Sequence, residues 1–176
     1  PADGKIGIDG TIQYLHDLGL NLEEPAALVL AWKLAAPTTG EFHKAEFVEG
    51  WRSLDCDSFD AMKNKIHTFR RWMLEDEDVY HKVYLFVFSF AKVQGQKSLG
   101  LDTAIDYWEL LLRTRFDHLD LWVQFLKEKH GRAISKDTWN QLWDFMKTYD
   151  KTFQVYDQDG AWPVLIDEVQ PIIQLC

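Results

Sequence analysis

"EDVYHKVYLFVFSFAKV", residues 77–93, is the stretch on which the fold class turns. Its Val, Tyr and Phe content suits a β-strand, because branched and aromatic side chains pack well on a pleated surface. The apolar pattern nevertheless runs well past strand length with no Gly or Pro to turn it, which predicts a helix. The inner run "YLFVFSFA", 84–91, is too short to span a bilayer.

The same helical period extends in both directions. In "DTWNQLWDFMK", Trp139, Leu142, Trp143 and Met146 recur at i, i+3, i+4 and i+7, and in "HLDLWVQFLKEK", Leu119, Trp122, Phe125 and Leu126 share a face. "EPAALVLAWKLAAP" is bracketed by Pro25, tolerated in a first turn, and Pro37, just past the end. Asp102 is expected to cap "TAIDYWELLLRTRF", a segment apolar on nearly all sides and therefore buried. Breaks at Gly19, Thr38–Gly40, Cys56–Asp57, Glu75–Asp78, Gly95–Lys97, Gly131 and Asp157–Gly160 delimit about nine helices. The expected class is all-α. Four consecutive acidic residues at 75–78 suggest a boundary between lobes 1–75 and 76–176. That joint is not rich in Pro or Gly, so both lobes should pack within a single domain over 1–176.

The 176-residue chain is long enough for a sizeable core, and its 47% hydrophobic content excludes general disorder. A net charge of −9 argues against nucleic acid as the main ligand and points to a basic partner surface. Two cysteines, Cys56 and Cys176, are too few for a disulfide framework, so a reducing compartment is expected. The opening "PADGKIG" has no initiator Met and no apolar h-region, which points to a trimmed domain rather than a precursor, and no membrane contact is expected of this segment.

Three stretches carry the outline of a calcium loop. Such a loop needs oxygen ligands at positions 1, 3, 5 and 12 and Gly at 6. With Gly160 at position 6, "YDQDGAWPVLIDE" supplies Asp157 and Asp159 but leaves Val155 at 1 and Ile166 at 12. "DGKIGIDG" ends with Gly10 at 12, and "TTGEFHKAEF" offers Glu46 at 12 but Ala35, Pro37 and Thr39 where oxygens belong. The turn glycine and an apolar position 8, Ile6 or Phe42, survive without competent ligands. An EF-hand-like first lobe without calcium is the expectation. No CxxC, HExxH, P-loop, G-x-G-x-x-G or nucleophile elbow occurs, so no metal, cofactor or catalytic residue is assigned.

The last segment, "WPVLIDEVQPIIQLC", places its apolar residues on one arc and Asp167 opposite it. A carboxylate there contributes little to folding and is available for a contact. Asp137 lies in the first turn of its helix, where it complements the helix dipole and can help cap it. Ala161, beside Trp162, leaves room for close approach by a partner.

"KDTWNQLWDF" followed by "YDQDGAWPVLIDE", with "AWK" at 31–33, "LDCDS" at 54–58 and "GQKSL" at 95–99, closely resembles the potentiating-neddylation domain of the defective-in-cullin-neddylation proteins. The likeness runs from about Lys5 to Gln170. It implies an all-helical, EF-hand-like, non-catalytic co-ligase that helps transfer a ubiquitin-like modifier from its conjugating enzyme to a cullin lysine. It also implies a cullin-binding patch at Asp137, Ala161 and Asp167, facing basic residues of the cullin C-terminal winged-helix domain. A second implied site is an apolar pocket for the acetylated N-terminal tail of the conjugating enzyme. Its matching positions are Ile8, Thr11, Ala27, Leu28, Leu30, Ala31, Thr39, Phe42, Phe90, Tyr107 and Leu110. Acetylation removes a terminal charge that would be costly to desolvate there. A RING-type ligase subunit reached through the cullin complex, and residence in nucleus and cytoplasm, follow from the same resemblance. A calcium sensor and a helical adaptor of other specificity stand as the alternatives.

Overall fold

Residues 4–148 are described by the structure, a computed structural model. Ala161, Asp167 and the final segment lie outside the described residues. The chain divides after Ala91 into two compact units.

The decisive stretch is helical. Helix α5, Glu77–Ala91, buries Tyr80, Val83, Tyr84, Val87 and Phe88, the i, i+3, i+4, i+7, i+8 stripe of a helix and not the alternation of a strand. It is the last element of the first unit, after β1 (Lys5–Ile6), α1 (Ile8–Leu18), α2 (Pro25–Lys33), β2 (Phe42–His43), α3 (Lys44–Ser53) and α4 (Phe59–Glu75). The acidic run at 75–78 therefore falls inside this unit, and its charges serve a helix start. Asp76 Oδ1 accepts from Val79 N at 2.9 Å, while Glu77 and Asp78 occupy the first turn, where the helix dipole favours them. Helix α5 then packs on α2 and α4.

Helix α2 is the centre of the first unit. Ala26 to Ala31 are all buried, as expected of a helix apolar all round, and Pro25 opens it where its missing N–H costs nothing. Helix α3 approaches the end of α2 at Gly50, where an added Cβ would lie 2.7 Å from Lys33 O and 3.0 Å from Leu34 Cα. Arg70 of α4 reaches back to the α1–α2 connection. Its Nε and one terminal nitrogen donate to Glu24 at 2.9 Å, and that terminal nitrogen also donates to Gly19 O at 2.6 Å. The guanidinium holds the Glu24 carboxyl below its ordinary range.

The loops before α1 and α3 meet in an antiparallel ladder pairing Ile6 with Phe42 and Lys5 with His43. The paired apolar residues are those at position 8 of the two degenerate loops, and the position-6 glycines, Gly4 and Gly40, both adopt φ above +70°. A side chain there would be strained. Glu41, beside this ladder, takes Lys5 Nζ at 3.2 Å and His43 Nε2 at 2.6 Å, contacts that lower its pKa.

The second unit contains α6 (Leu101–Leu112), α7 (Leu119–Phe125), a π-helical turn (Leu126–His130) and α8 (Lys136–Thr148). Helix α6 starts one residue before the expected cap: Gly100 is the N-cap and Asp102 lies in the first turn. The unit's core is aromatic. Trp108 stacks on Trp139, with centroids 5.0 Å apart, and meets Trp122 edge-on at 5.6 Å. The described residues thus hold eight α-helices, and none is long and apolar enough to cross a membrane.

Two outcomes are expected in urea unfolding. Gly50→Ala should destabilise by about 1–3 kcal/mol, since the added methyl meets backbone that cannot yield easily. Arg70→Gln should cost about 1 kcal/mol at neutral pH, discounted because the pair is partly exposed. Glu24 is depressed in the folded state, so its contribution is present above the unfolded carboxylate pKa of roughly 4.3. It is lost as pH falls through the folded value, and the gap between wild type and variant should close in acid.

Candidate functional site

The start of α8 is built by a local capping arrangement. Ser135 Oγ accepts from Thr138 N at 3.0 Å and stands 3.0 Å from Thr138 Oγ1, while Trp139 N donates to Ser135 O at 3.0 Å. Ser135, and not Asp137, is therefore the cap. Asp137 sits in the first turn, exposed, and both its oxygens accept from Gln141 Nε2 at 3.1 Å. It forms no ion pair with any described residue. A carboxylate so placed is favoured by the helix dipole and remains able to receive a cation from outside.

What aims Asp137 outward is the opposite face of the helix. Trp139, Leu142, Trp143 and Phe145 are buried, Trp139 completely. Phe145 was not among the positions anticipated for this face; it meets Phe116 edge-on at 6.5 Å. A second backbone device holds the segment ahead of α8: Leu99 and Ile134 exchange hydrogen bonds of 2.9 and 2.7 Å in an isolated antiparallel bridge. Ala161 and Asp167, which the resemblance groups with Asp137, lie outside the described residues.

The anticipated tail-pocket residues are distributed over both units. In the first, Ile8, Thr11 and Phe42 gather around Gly40. Thr11 Oγ1 donates to Gly40 O at 3.1 Å, a Cβ on Gly40 would lie 3.1 Å from Ile8 Cγ1, and Phe42 is two residues on, paired with Ile6. Ile8 is 63% exposed, whereas Thr11 and Phe42 are buried. Ala27, Leu28, Leu30 and Ala31 are buried along α2, Leu30 completely, and Phe90 is buried on α5, stacked on Phe86 at 5.2 Å. Thr39 is exposed in the loop. Tyr107 and Leu110 lie half-buried on α6 of the second unit.

An open cavity of about 550 Å³, lined by Phe47, Val48, Trp51, Arg52, Asp55, Cys56, Asp57 and Met62, includes none of those positions. It forms between α3, the following loop and α4. Burial pushes the Cys56 thiol up, and the aspartates on either side act in the same direction, so the group is no ready nucleophile. The sequence signal was the "LDCDS" stretch, whose Asp55 adopts a positive φ of 55°. Among the described residues, no cluster of His, Cys, Asp and Glu could hold a metal ion.

Comparison with known proteins bears on this geometry. A family model described as "Cullin binding" matches residues 61–170. The chain is 43% identical to "Defective in cullin neddylation protein 1" of Yarrowia lipolytica, over 93% of this chain and 69% of that one. It is 37% identical to "DCN1-like protein 5" of Homo sapiens, over 94% of this chain and 70% of that one.

Trp139→Ala should cost about 3–5 kcal/mol in urea unfolding, the usual loss for a large buried aromatic. Asp137→Lys should cost no more than about 1 kcal/mol, the scale of a helix-dipole contact. The contrast would separate the residue that builds the edge from the one that faces outward.

Proposed function

The chain belongs to the defective-in-cullin-neddylation family and has a role in cullin neddylation, which we propose it performs as a non-catalytic bridge between the cullin and the neddylation-conjugating enzyme. The observation that carries this reading is Asp137. It is exposed, fixed at the start of a helix whose far side is an aromatic core, and without a cation among the described residues.

In this reading Asp137, with Ala161 and Asp167, receives Lys or Arg side chains of the cullin C-terminal winged-helix domain. Exposed charged contacts mainly steer encounter and fix register, so the small side chain of Ala161 adds apolar contact where the surfaces close. The second docking site is the apolar group headed by Ile8, which takes the acetylated, helical N-terminal tail of the conjugating enzyme. Ile8 can bury its exposed face against that tail, and a buried methionine side chain contributes roughly 1.5–3 kcal/mol.

Holding both partners raises the effective concentration of the charged conjugating enzyme near the acceptor lysine. The bonds made and broken belong to the conjugating enzyme and the cullin. A RING-type subunit takes part through the cullin complex, and action in nucleus and cytoplasm fits such a partner set.

The test is a modification assay with purified components. Cullin modification should be stimulated with acetylated conjugating enzyme and not with the unacetylated form. Asp137→Lys combined with Asp167→Lys should lower the stimulated rate at limiting cullin by about tenfold, corresponding to roughly 1.4 kcal/mol of lost binding. Indifference to acetylation would remove the tail site, and full activity of the double variant would remove the patch.

A further inference from the structure

Asp137 follows a run of cations that form no ion pair with any described carboxylate. Lys127 and Lys129 lie exposed in the π-helical turn, which is closed by the hydrogen bond from Gly131 N to Leu126 O at 2.9 Å. Exposed Arg132 and Lys136 follow, each two residues from Ile134. Lys97, also exposed, is two residues from Leu99, the other half of the backbone bridge. Two residues of chain span at most about 7 Å, and bridged strands lie about 5 Å apart. The α-carbons of Lys97, Arg132 and Lys136 must therefore fall within roughly 20 Å of one another, on an edge that runs directly into Asp137.

None of these five cations forms an ion pair with a described residue. Among the described acids nearby, Glu128 accepts from Gln124 Nε2 at 2.8 Å and Asp102 lies in the first turn of α6, and neither pairs with one of these cations. A partner offering only Lys and Arg to Asp137 would bring cations against the adjoining Lys136 and within about two screening lengths, each about 8–10 Å, of the rest of this edge. Like charges so juxtaposed oppose binding.

We propose that the cullin surface meeting Asp137 is bipolar, placing one or more carboxylates against the basic edge of Lys97, Arg132 and Lys136 beside the cation that Asp137 receives. The proposal rests on the reading that Asp137 faces the cullin. A protein surface fits the edge better than a phosphate backbone, because Glu128 and Asp137 interrupt it and the chain as a whole carries −9. Alternating charge also fixes the orientation in which the two proteins dock.

The sign of a charge reversal tests this. Binding of the purified cullin C-terminal domain is measured by titration calorimetry for the intact chain, for Asp137→Lys, for the triple variant Lys97→Glu, Arg132→Glu, Lys136→Glu, and for its neutral counterpart with Gln at all three positions. Circular dichroism checks that each is folded. The triple reversal should weaken binding about tenfold and the neutral set about threefold, both less at high salt. Unchanged or tighter binding by the triple reversal would overturn the proposal, since a uniformly cationic partner gains from added carboxylates. An Asp137→Lys variant that binds normally would sink the underlying reading, and the proposal with it, whereas a normal triple beside a weakened Asp137→Lys sinks the proposal alone. A short DNA duplex bound as tightly as the cullin domain, and released by the triple reversal, would reassign the edge to polyanions.

Discussion

The stack of Trp108 on Trp139 is the contact on which the outward face of the second unit depends. Both indoles are fully buried, one from the middle of α6 and one from the first turns of α8. Because a helix has 3.6 residues per turn, fixing Trp139 inward leaves Asp137, two residues earlier, on the exposed side. Ser135 caps the start of the helix, so the carboxylate need not do so. The Leu99–Ile134 bridge secures the approach, tying the segment just ahead of α8 to the one just ahead of α6.

The first unit is organised differently. Its two loops meet in a short ladder, each with a glycine at positive φ and an apolar residue two positions later, and the positions where a calcium loop would need ligands are largely filled by Gly, Ala, Pro and Thr. In a calcium loop the ion offsets repulsion among converging carboxylates. Here few carboxylates converge, and the loops are tied by the backbone ladder and by Glu41 with its two cationic neighbours. Thr11 supplies one more tie by donating to the carbonyl of Gly40. The loops are thereby closed by protein groups, and Ile8 is left standing at their rim.

Much of this was legible in the sequence because it is local. The burial stripe of α5, the proline bracket of α2 and the exposure of Asp137 each follow from helical periodicity or first-turn chemistry within one segment. Two misreadings share a cause. By residue type the acids at 75–78 mark a lobe boundary and Asp102 a cap, whereas the backbone puts Asp76 at a cap and Asp102 inside a turn. Charges at a helix start resemble charges at a lobe boundary until the packing of α5 on α2 and α4 is known. The π-helical turn at Leu126–His130 has no signature in the helical period, and the basic edge depends on a pairing across 35 residues, from Leu99 to Ile134.

A net charge of −9 is an average over the chain, while a partner within a contact interface feels charges only over a screening length of about 8–10 Å. Residues 127–136 contain Lys127, Lys129, Arg132 and Lys136 against Glu128 alone, so the surface leading into Asp137 is locally basic in an acidic protein. Long-range attraction of a basic partner and short-range selection of its docking face are then set by different residues. The bulk charge accelerates encounter with a cationic surface, and the basic edge rejects orientations that present nothing but cations. The proposed bridge, which would hold an acceptor lysine within reach of a thioester, needs the second property as much as the first, since an encounter in the wrong orientation brings the lysine no closer.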